Sequence, residues 1–456
     1  MREALLTRVR VPTRHPPATV IRRLHRRLAR VGVDLPVRLP DGDLLGPDRA
    51  GYRIVVAQPS AVRALLLVGD DRAAGEAYVR GDVDVEGSMV AALRDLSRHV
   101  PALGGGRPAT GLIADVLRLP RLGSDPAGRQ PSLAGAVHSL QRDREAIRYH
   151  YDVGNDFYRL FLDRRLVYSC AYFPDGTPLD PPDGPDDGLD AAQARKLDLI
   201  CRKLDLRPGE RLLDIGCGWG ALAIHAATHY GVEVVGVTLS DEQVSLARER
   251  AGQAGVDDRV EFRLADYREV TGTFDAVASI GMFEHVGTDQ LDRYFTTCHL
   301  LTRPGGRFLN HGITTGQRGI VRDLAHDDGF LARYVFPDGA LVPAHTAVTH
   351  LERAGFELVD LEQLRPHYAR TLTRWVARLE ATAFTARATA DERTYRIWRA
   401  YMAASAVGFA TGDLGVIQLL GVRPPGDLPL SRTRMLLPEP TTSGSKASAS
   451  PATGAA

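Results

Sequence analysis

From residue 190 onward, two hydrophobic periods take turns along the chain. Short apolar runs predict strands at "RLLDI" (211–215), "VEVVGV" (232–237), "VEFRLA" (260–265), "FDAVASI" (274–280), "GRFLNHGIT" (306–314) and "FELVDLEQL" (356–364). Between them, helical spacing covers "DAAQARKLDLICRKL" (190–204), "ALAIHAATHY" (221–230), "DEQVSLARERAGQAG" (241–255) and "DQLDRYFTTCHLL" (289–301). Strands alternating with helices predict an α/β fold with a parallel sheet covered on both faces. "FDAVASI" reads as buried on both faces, and "GMFEHVG" (281–287) follows it with Glu284 and His285. The end of such a strand is where open α/β sheets bind ligands; a salt-bridged loop is the other reading.

Upstream the pattern is weaker. "YRIVVAQP" (52–59) and the helix-like "SAVRALLLVG" (60–69) predict a small α+β domain over residues 1–102. "TVIRRLHRRLAR" (19–30) sets Val20, Ile21, Leu24 and Leu28 on one helical face and arginines on the other. Such a helix either lies on an anionic membrane or packs on its own domain. Gly/Pro-rich stretches at 103–111 and 121–135 predict a linker region, 103–144, before a catalytic domain at 145–437. The acidic, Pro-rich run 175–190 lacks ligand register and reads as a solvated loop rather than a metal site. The tail, 438–456, has too little apolar surface to order itself.

Composition narrows the choices. The chain has 456 residues, 44% hydrophobic and 25% charged, enough for an ordinary buried core. A net charge of +1 gives no whole-molecule attraction to nucleic acid, although residues 1–40 hold ten arginines against Glu3 and Asp34. Only Lys196, Lys203 and Lys446 are lysines. Cys170, Cys201, Cys217 and Cys298 form no C-x-x-C pair, which excludes a zinc ribbon or thioredoxin-like site and suits a reducing cytoplasm. No apolar run reaches the roughly 18 residues of a membrane span. The Arg-rich start lacks the apolar core of a secretory signal and only loosely matches a transit peptide.

"LLDIGCGWG" (212–220) is a strand, a glycine turn and a helix start. Gly216, Gly218 and Gly220 let backbone approach a ligand, and the helix offers free N–H groups. The spacing G-x-G-x-G is not the G-x-G-x-x-G of dinucleotide sites, and Thr238 stands where an acid is expected. Thr238 and Gln243 can hydrogen-bond a ribose or amino acid group, Asp266 an exocyclic amine, and Asp214 can orient the turn. The set suits S-adenosylmethionine better than NAD; an NAD-type or ligand-free Rossmann-like domain is the alternative.

Together "HYDVGNDFYRLFLD", "YSCAYF", "LLDIGCGWGALA", "VVGVTLSDEQ", "ADYREV", "GMFEHVG", "YVFPDGALVP" and "PHYARTLTRW" resemble the cyclopropane-fatty-acyl-phospholipid synthase and mycolic acid cyclopropane synthase family, from about 145 to 430. "GEAYVRGDVDVEG" (75–87) resembles the small domain of the full-length bacterial enzymes. The resemblance implies a Rossmann-like class I methyltransferase fold with a mostly parallel seven-stranded sheet. It implies attack of an unsaturated acyl chain on the methyl of S-adenosylmethionine, a carbocation, and ring closure after proton loss to a bound bicarbonate. By the same resemblance Glu284, His311 and Tyr368 are side-chain ligands of the bicarbonate, and Cys170 and Ile313 contribute backbone. Tyr168, Gly216, Thr238, Gln243 and Tyr267 match positions near the cofactor. The implied partner is phospholipid at the inner membrane face, with peripheral contact and a homodimer. Intact Glu284, His285 and His311 favour cyclopropanation, while "LRPHYART" resembles makers of methylene- or methyl-branched chains equally well. A small-molecule C-methyltransferase and a non-enzymatic lipid binder are the remaining alternatives.

Overall fold

The computed structural model describes residues 16–48, 51–66, 71–104, 109–121, 133–151, 153–182, 187–316, 322–323, 329–426, 432 and 435. The tail 438–456, the first 15 residues, most of 121–135 and positions 183–186 of the acidic run lie outside the described residues.

The main sheet has seven strands: β1 (Arg211–Ile215), β2 (Glu233–Thr238), β3 (Val260–Leu264), β4 (Phe274–Ile280), β5 (Thr302–Thr315), β6 (Glu357–Gln363) and β7 (Leu414–Val422). Their order is β6-β7-β5-β4-β1-β2-β3. β1 to β5 pair in parallel, and β7 runs antiparallel between β5 and β6. The fold class expected from the alternating pattern is therefore present. β7 is the strand the pattern reading did not assign. Its sequence, "LGVIQLLGV", is a continuous apolar run, and almost all of it is buried, as a strand with both faces covered requires.

Side chains alternate across the sheet. Leu212, Val234 and Ala276 pack under the helices Leu189–Lys203 and Ala221–Tyr230. Leu213, Val235 and Val277 pack on the opposite face with Leu291, Phe295 and Leu351. Each buried Leu or Val stabilises by about 1.5–3 kcal/mol, and a one-residue slip in register would carry every side chain to the core on the opposite face, where it does not fit its neighbours.

The N-terminal region has its own four-stranded sheet, in the order Leu44–Leu45, Val37–Arg38, Tyr52–Val56, Val83–Gly87. The apolar face of the helix Pro17–Ala29 is consumed there. Val20, Ile21 and Leu24 are buried with Val116 and Leu119, Leu28 is buried in the core that holds Val33 and Leu35, Arg22 pairs with Asp41 and Asp43, and Arg23 and Arg27 reach buried Asp115. The packed reading of this helix holds and the membrane-lying one does not, because no apolar stripe is left to meet lipid. The stretch expected to be a linker, 103–144, carries the helix Ala109–Arg118 and the first turn of the helix Leu140–Tyr151. Nor is the acidic run simply solvated. Buried Asp187 pairs with Arg378, and Arg370 and Arg374 hold the carbonyls of Thr177, Leu179 and Asp187.

Two long helices, Arg365–Ala381 and Glu392–Thr411, join the two parts of the molecule. Arg399, 5% exposed, donates to Glu380 (2.8 Å), the Tyr78 hydroxyl (3.0 Å) and the carbonyls of Val85 (3.1 Å) and Gly87 (2.6 Å).

Candidate active site

At the carboxyl end of β1 the chain turns through Gly216 (φ +75°), Gly218 (φ +53°) and Gly220 (φ +79°), a left-handed conformation open to glycine at little cost. The N–H groups of Gly216 and Cys217 donate to the Val237 carbonyl at 2.9 and 3.0 Å. The turn is thus held by β2 and not, as expected, by Asp214. Asp214 is 2% exposed, and its Oδ2 has no partner. Burial pushes its pKa up to about 7 against the opposing charge of Lys196. A buried carboxylate oxygen without a donor is costly, and a ligand ammonium satisfies it.

Tyr168, Asp214, Gly216, Gly218, Thr238, Gln243, Asp266 and Tyr267 all line one cavity of about 160 Å³. Thr238 donates to Gln243 at 2.7 Å, which orients both. Asp266 is more committed than the sequence suggested. It caps Arg268 N and takes the Arg268 guanidinium on both oxygens at 2.7 Å. One lone pair on Oδ2 is left for an amine. Gly220 is the exception among the expected cofactor residues. It is outside the cavity wall, and a Cβ there would meet the Phe262 ring at 2.5 Å, so it serves helix-to-sheet packing.

A second cavity, about 560 Å³, contains all five residues expected for the catalytic group: Cys170, Glu284, His311, Ile313 and Tyr368 line it. Glu284 follows β4 in a turn of 3-10 helix, and Oε1 accepts the Ile313 N–H at 2.7 Å. Ile313 therefore spends its N–H on Glu284 and has none to offer a ligand. Glu284 Oε2 is buried without a partner, and burial pushes the carboxyl up to about 7. His311 lies on β5, opposite Gln418 of β7. The Gln418 amide donates to Nδ1 at 3.2 Å, so the ring proton belongs on Nε2, which is buried and partnerless. Burial holds His311 neutral, well below its ordinary pKa. The Cys170 thiol is pushed up by burial and donates to the Ala171 carbonyl at 3.2 Å; it is a wall, not a nucleophile.

Tyr151, Tyr168, Ser169, Gly281 and His285 belong to both cavity walls. This junction is aromatic. Tyr168 stacks on Trp375 with centroids 5.3 Å apart, and its hydroxyl faces that of Tyr401 at 3.4 Å. Burial lowers His285 to about 4, so it stands neutral at the junction. The N-terminal region builds part of the apolar cavity wall, with Ile54, Val83, Val85, Met89, Leu93 and Leu96. The sequence reading passed over Tyr151, Ser169, Trp219 and Tyr401. Tyr151 and Trp219 stand inside the quoted motifs "HYDVG" and "GCGWG", which was the available signal. Ser169 likewise stands inside "YSCAYF", whereas Tyr401 lies in none of the quoted motifs.

Residues 138–419 match the family model described as mycolic acid cyclopropane synthetase. A probable fatty acid methyltransferase of Pseudomonas putida is 39% identical over 414 residues, covering 88% of this chain and 96% of its own. The cyclopropane-fatty-acyl-phospholipid synthase of Escherichia coli strain K12 is 37% identical over 292 residues, 63% of this chain and 71% of its own. Among solved structures, the mycolic acid cyclopropane synthase CmaA1 complexed with SAH and CTAB aligns at 33% identity and TM-score 0.55, covering 61% of this chain and 98% of that one. Fold, glycine turn and cofactor cavity define an S-adenosylmethionine-dependent methyltransferase of the class I fold. More narrowly, the chain belongs to the mycolic acid cyclopropane synthetase family.

Proposed function

We propose that the protein methylenates the double bond of an unsaturated phospholipid acyl chain, with S-adenosylmethionine as donor and bicarbonate as base. The observation that carries this reading is the meeting of the two cavities. The larger is apolar, and it holds the partnerless Glu284 Oε2 and His311 Nε2–H.

S-adenosylmethionine supplies a sulfonium methyl to the junction. Asp214 Oδ2 takes the ammonium of its amino acid part, Gln243 and Thr238 take hydroxyls, and the glycine turn gives it room. An alkene is a weak nucleophile, so alignment matters more here than activation of the substrate. The apolar walls hold the acyl chain, and the rings of Tyr151, Tyr168, Tyr368 and Tyr401 offer negative faces to developing positive charge. Glu284 Oε2, His311 Nε2–H and the Tyr368 hydroxyl suit a small hydrogen-bonded anion such as bicarbonate, one donating nitrogen and one accepting oxygen being already in place. Its chemistry there is that of a base. Phospholipid access, peripheral membrane contact at the inner face and a homodimer belong to this reading through the family resemblance.

The test uses S-adenosylmethionine with a trideuterated methyl group and vesicles of unsaturated phospholipid. Two deuteriums in the product chain support proton loss from the new methyl; three overturn it. The second reading is a 10-methylene branched product, favoured by relatives named fatty acid methyltransferase that align over nearly their whole length. NMR of the same product separates ring from branch.

A further inference from the structure

Lys196 is absent from the chemistry above, yet it sits where that chemistry happens. It is 1% exposed on the helix Leu189–Lys203 and lines the cofactor cavity. Its Nζ donates to Ser169 Oγ at 2.9 Å. One helical turn earlier, Gln193, fully buried, donates to the carbonyls of Val167 (3.3 Å) and Ser169 (2.9 Å). Positions three apart share a helix face. That face therefore grips residues 167–169 by three hydrogen bonds, and the gripped segment carries Tyr168 and Ser169 into both cavities.

The composition sharpens the point. Of 57 basic residues only three are lysines, and Lys196 and Lys203 are both buried. In a chain that uses arginine almost everywhere, the buried cation here is a compact ammonium. A guanidinium is a wide planar fork, which keeps the charge here but not the compact geometry of the bond to Ser169. The groups facing Lys196 are Asp214 on β1, Asp163 and Cys170 on the preceding segment, and Cys201 on its own helix; His311 on β5 and His225 on the helix Ala221–Tyr230 feel its charge. Asp163 is occupied by the N–H groups of Arg165 and Val167. Asp214 has an open oxygen.

We propose that Lys196 is a positioning residue for methyl transfer: through Ser169 it fixes Tyr168 at the junction of the cavities, and as the cation facing Asp214 it sets the strength and pH dependence of cofactor binding. The inference rests on reading the smaller cavity as the S-adenosylmethionine site, which the family assignment supports independently of the acyl product. Without the ammonium, Asp214 keeps its proton to higher pH and cannot pair with the cofactor's own ammonium until it ionises.

The experiment measures S-adenosylmethionine binding by calorimetry from pH 6 to 9, and turnover on unsaturated phospholipid vesicles, for the full chain and three variants. For Lys196→Met we expect affinity weakened about fivefold at pH 7, a displacement of about one pH unit, and regained by pH 9, where Lys196 itself, lowered by burial to about 8, has lost its charge. A loss equal at every pH, or no loss, overturns the charge role. For Ser169→Ala and Lys196→Arg we expect the wild-type pH profile of binding with turnover lowered about tenfold. Wild-type turnover in either overturns the positioning role, whether or not Lys196→Met folds. Failure of every protein, wild type included, to bind S-adenosylmethionine overturns the underlying site assignment instead.

Discussion

In the proposed reaction, Glu284 concentrates the chemistry in one side chain. Its two oxygens have different tasks, one fixing the Ile313 backbone and one left open in the larger cavity. Glu284→Gln keeps the size and the Ile313 bond but removes the charge. We expect turnover to fall by about 100-fold or more, with S-adenosylmethionine affinity within about threefold of wild type. Steady-state kinetics with calorimetry checks this, and unchanged turnover refutes the role. The same group makes stability depend on pH. Glu284 and Asp214 keep their protons to about 7 when folded, against ordinary values of 4.5 and 3.8. The folded state binds the extra protons over that window, so their contribution is full below it and is lost as pH rises through about 7. His150 and His285, depressed to about 3 and 4 by burial, act in the opposite sense, and theirs is lost as pH falls below the ordinary 6.5. Glu284→Gln removes its own share of the first arm and leaves that of Asp214 and the second arm in place. Its urea midpoint should therefore gain on wild type more at pH 8 than at pH 5; an equal difference at both would contradict the assignment.

At the scale of elements, β7 decides the electronic state of a residue on another strand. Its antiparallel register places Gln418 opposite His311, and the amide at Nδ1 directs the ring proton to Nε2. Gln418→Leu leaves the strand apolar and paired but releases the tautomer. We expect turnover about tenfold lower with a displaced pH–rate profile, while the fold, followed by circular dichroism, persists. A wild-type profile would show that the tautomer is held by something else. The turn after β1 shows a division of labour within one motif: Gly216 and Gly218 line the cavity, whereas Gly220 lets the helix approach Phe262.

Across the whole molecule, the two parts of the chain share one cavity. The N-terminal region supplies part of the wall of the larger cavity and, among the described residues, none of the wall of the cofactor cavity. Arg399 fastens that wall, with Glu380 on one side and the Tyr78 hydroxyl and two carbonyls on the other. Removing one member of a buried ion pair costs about 3–5 kcal/mol because the partner charge is stranded. Arg399→Met should therefore lower stability by about 3 kcal/mol. It should speed hydrogen exchange in Val83–Gly87 and Met89–Gly104 and depress turnover on vesicles. S-adenosylmethionine affinity should stay at the wild-type value. Parallel loss of cofactor binding would mean that the two cavities are coupled more tightly than their walls indicate.

The sequence by itself determined the elements whose periodicity is local: β1 to β6, the helices Leu189–Lys203, Ala221–Tyr230, Asp241–Ala254 and Leu291–Leu301 and the glycine turn, because strand and helix periods are written within five to fifteen residues. The family motifs also marked Glu284, His311, Tyr368 and Cys170, which do line one cavity. Tertiary structure alone decided what depends on distant partners. An apolar run such as β7 has no period to read, so its place between β5 and β6 came only from pairing. The face of the Pro17–Ala29 helix is equally apolar whether it meets lipid or Val116, and only packing chose. Ile313 lost its N–H to Glu284, and Asp266 most of its acceptors to Arg268, through contacts that spacing does not encode. Burial is a property of the surroundings, and it was burial that raised Glu284 and Asp214 to about 7 and gave both carboxylates their working range.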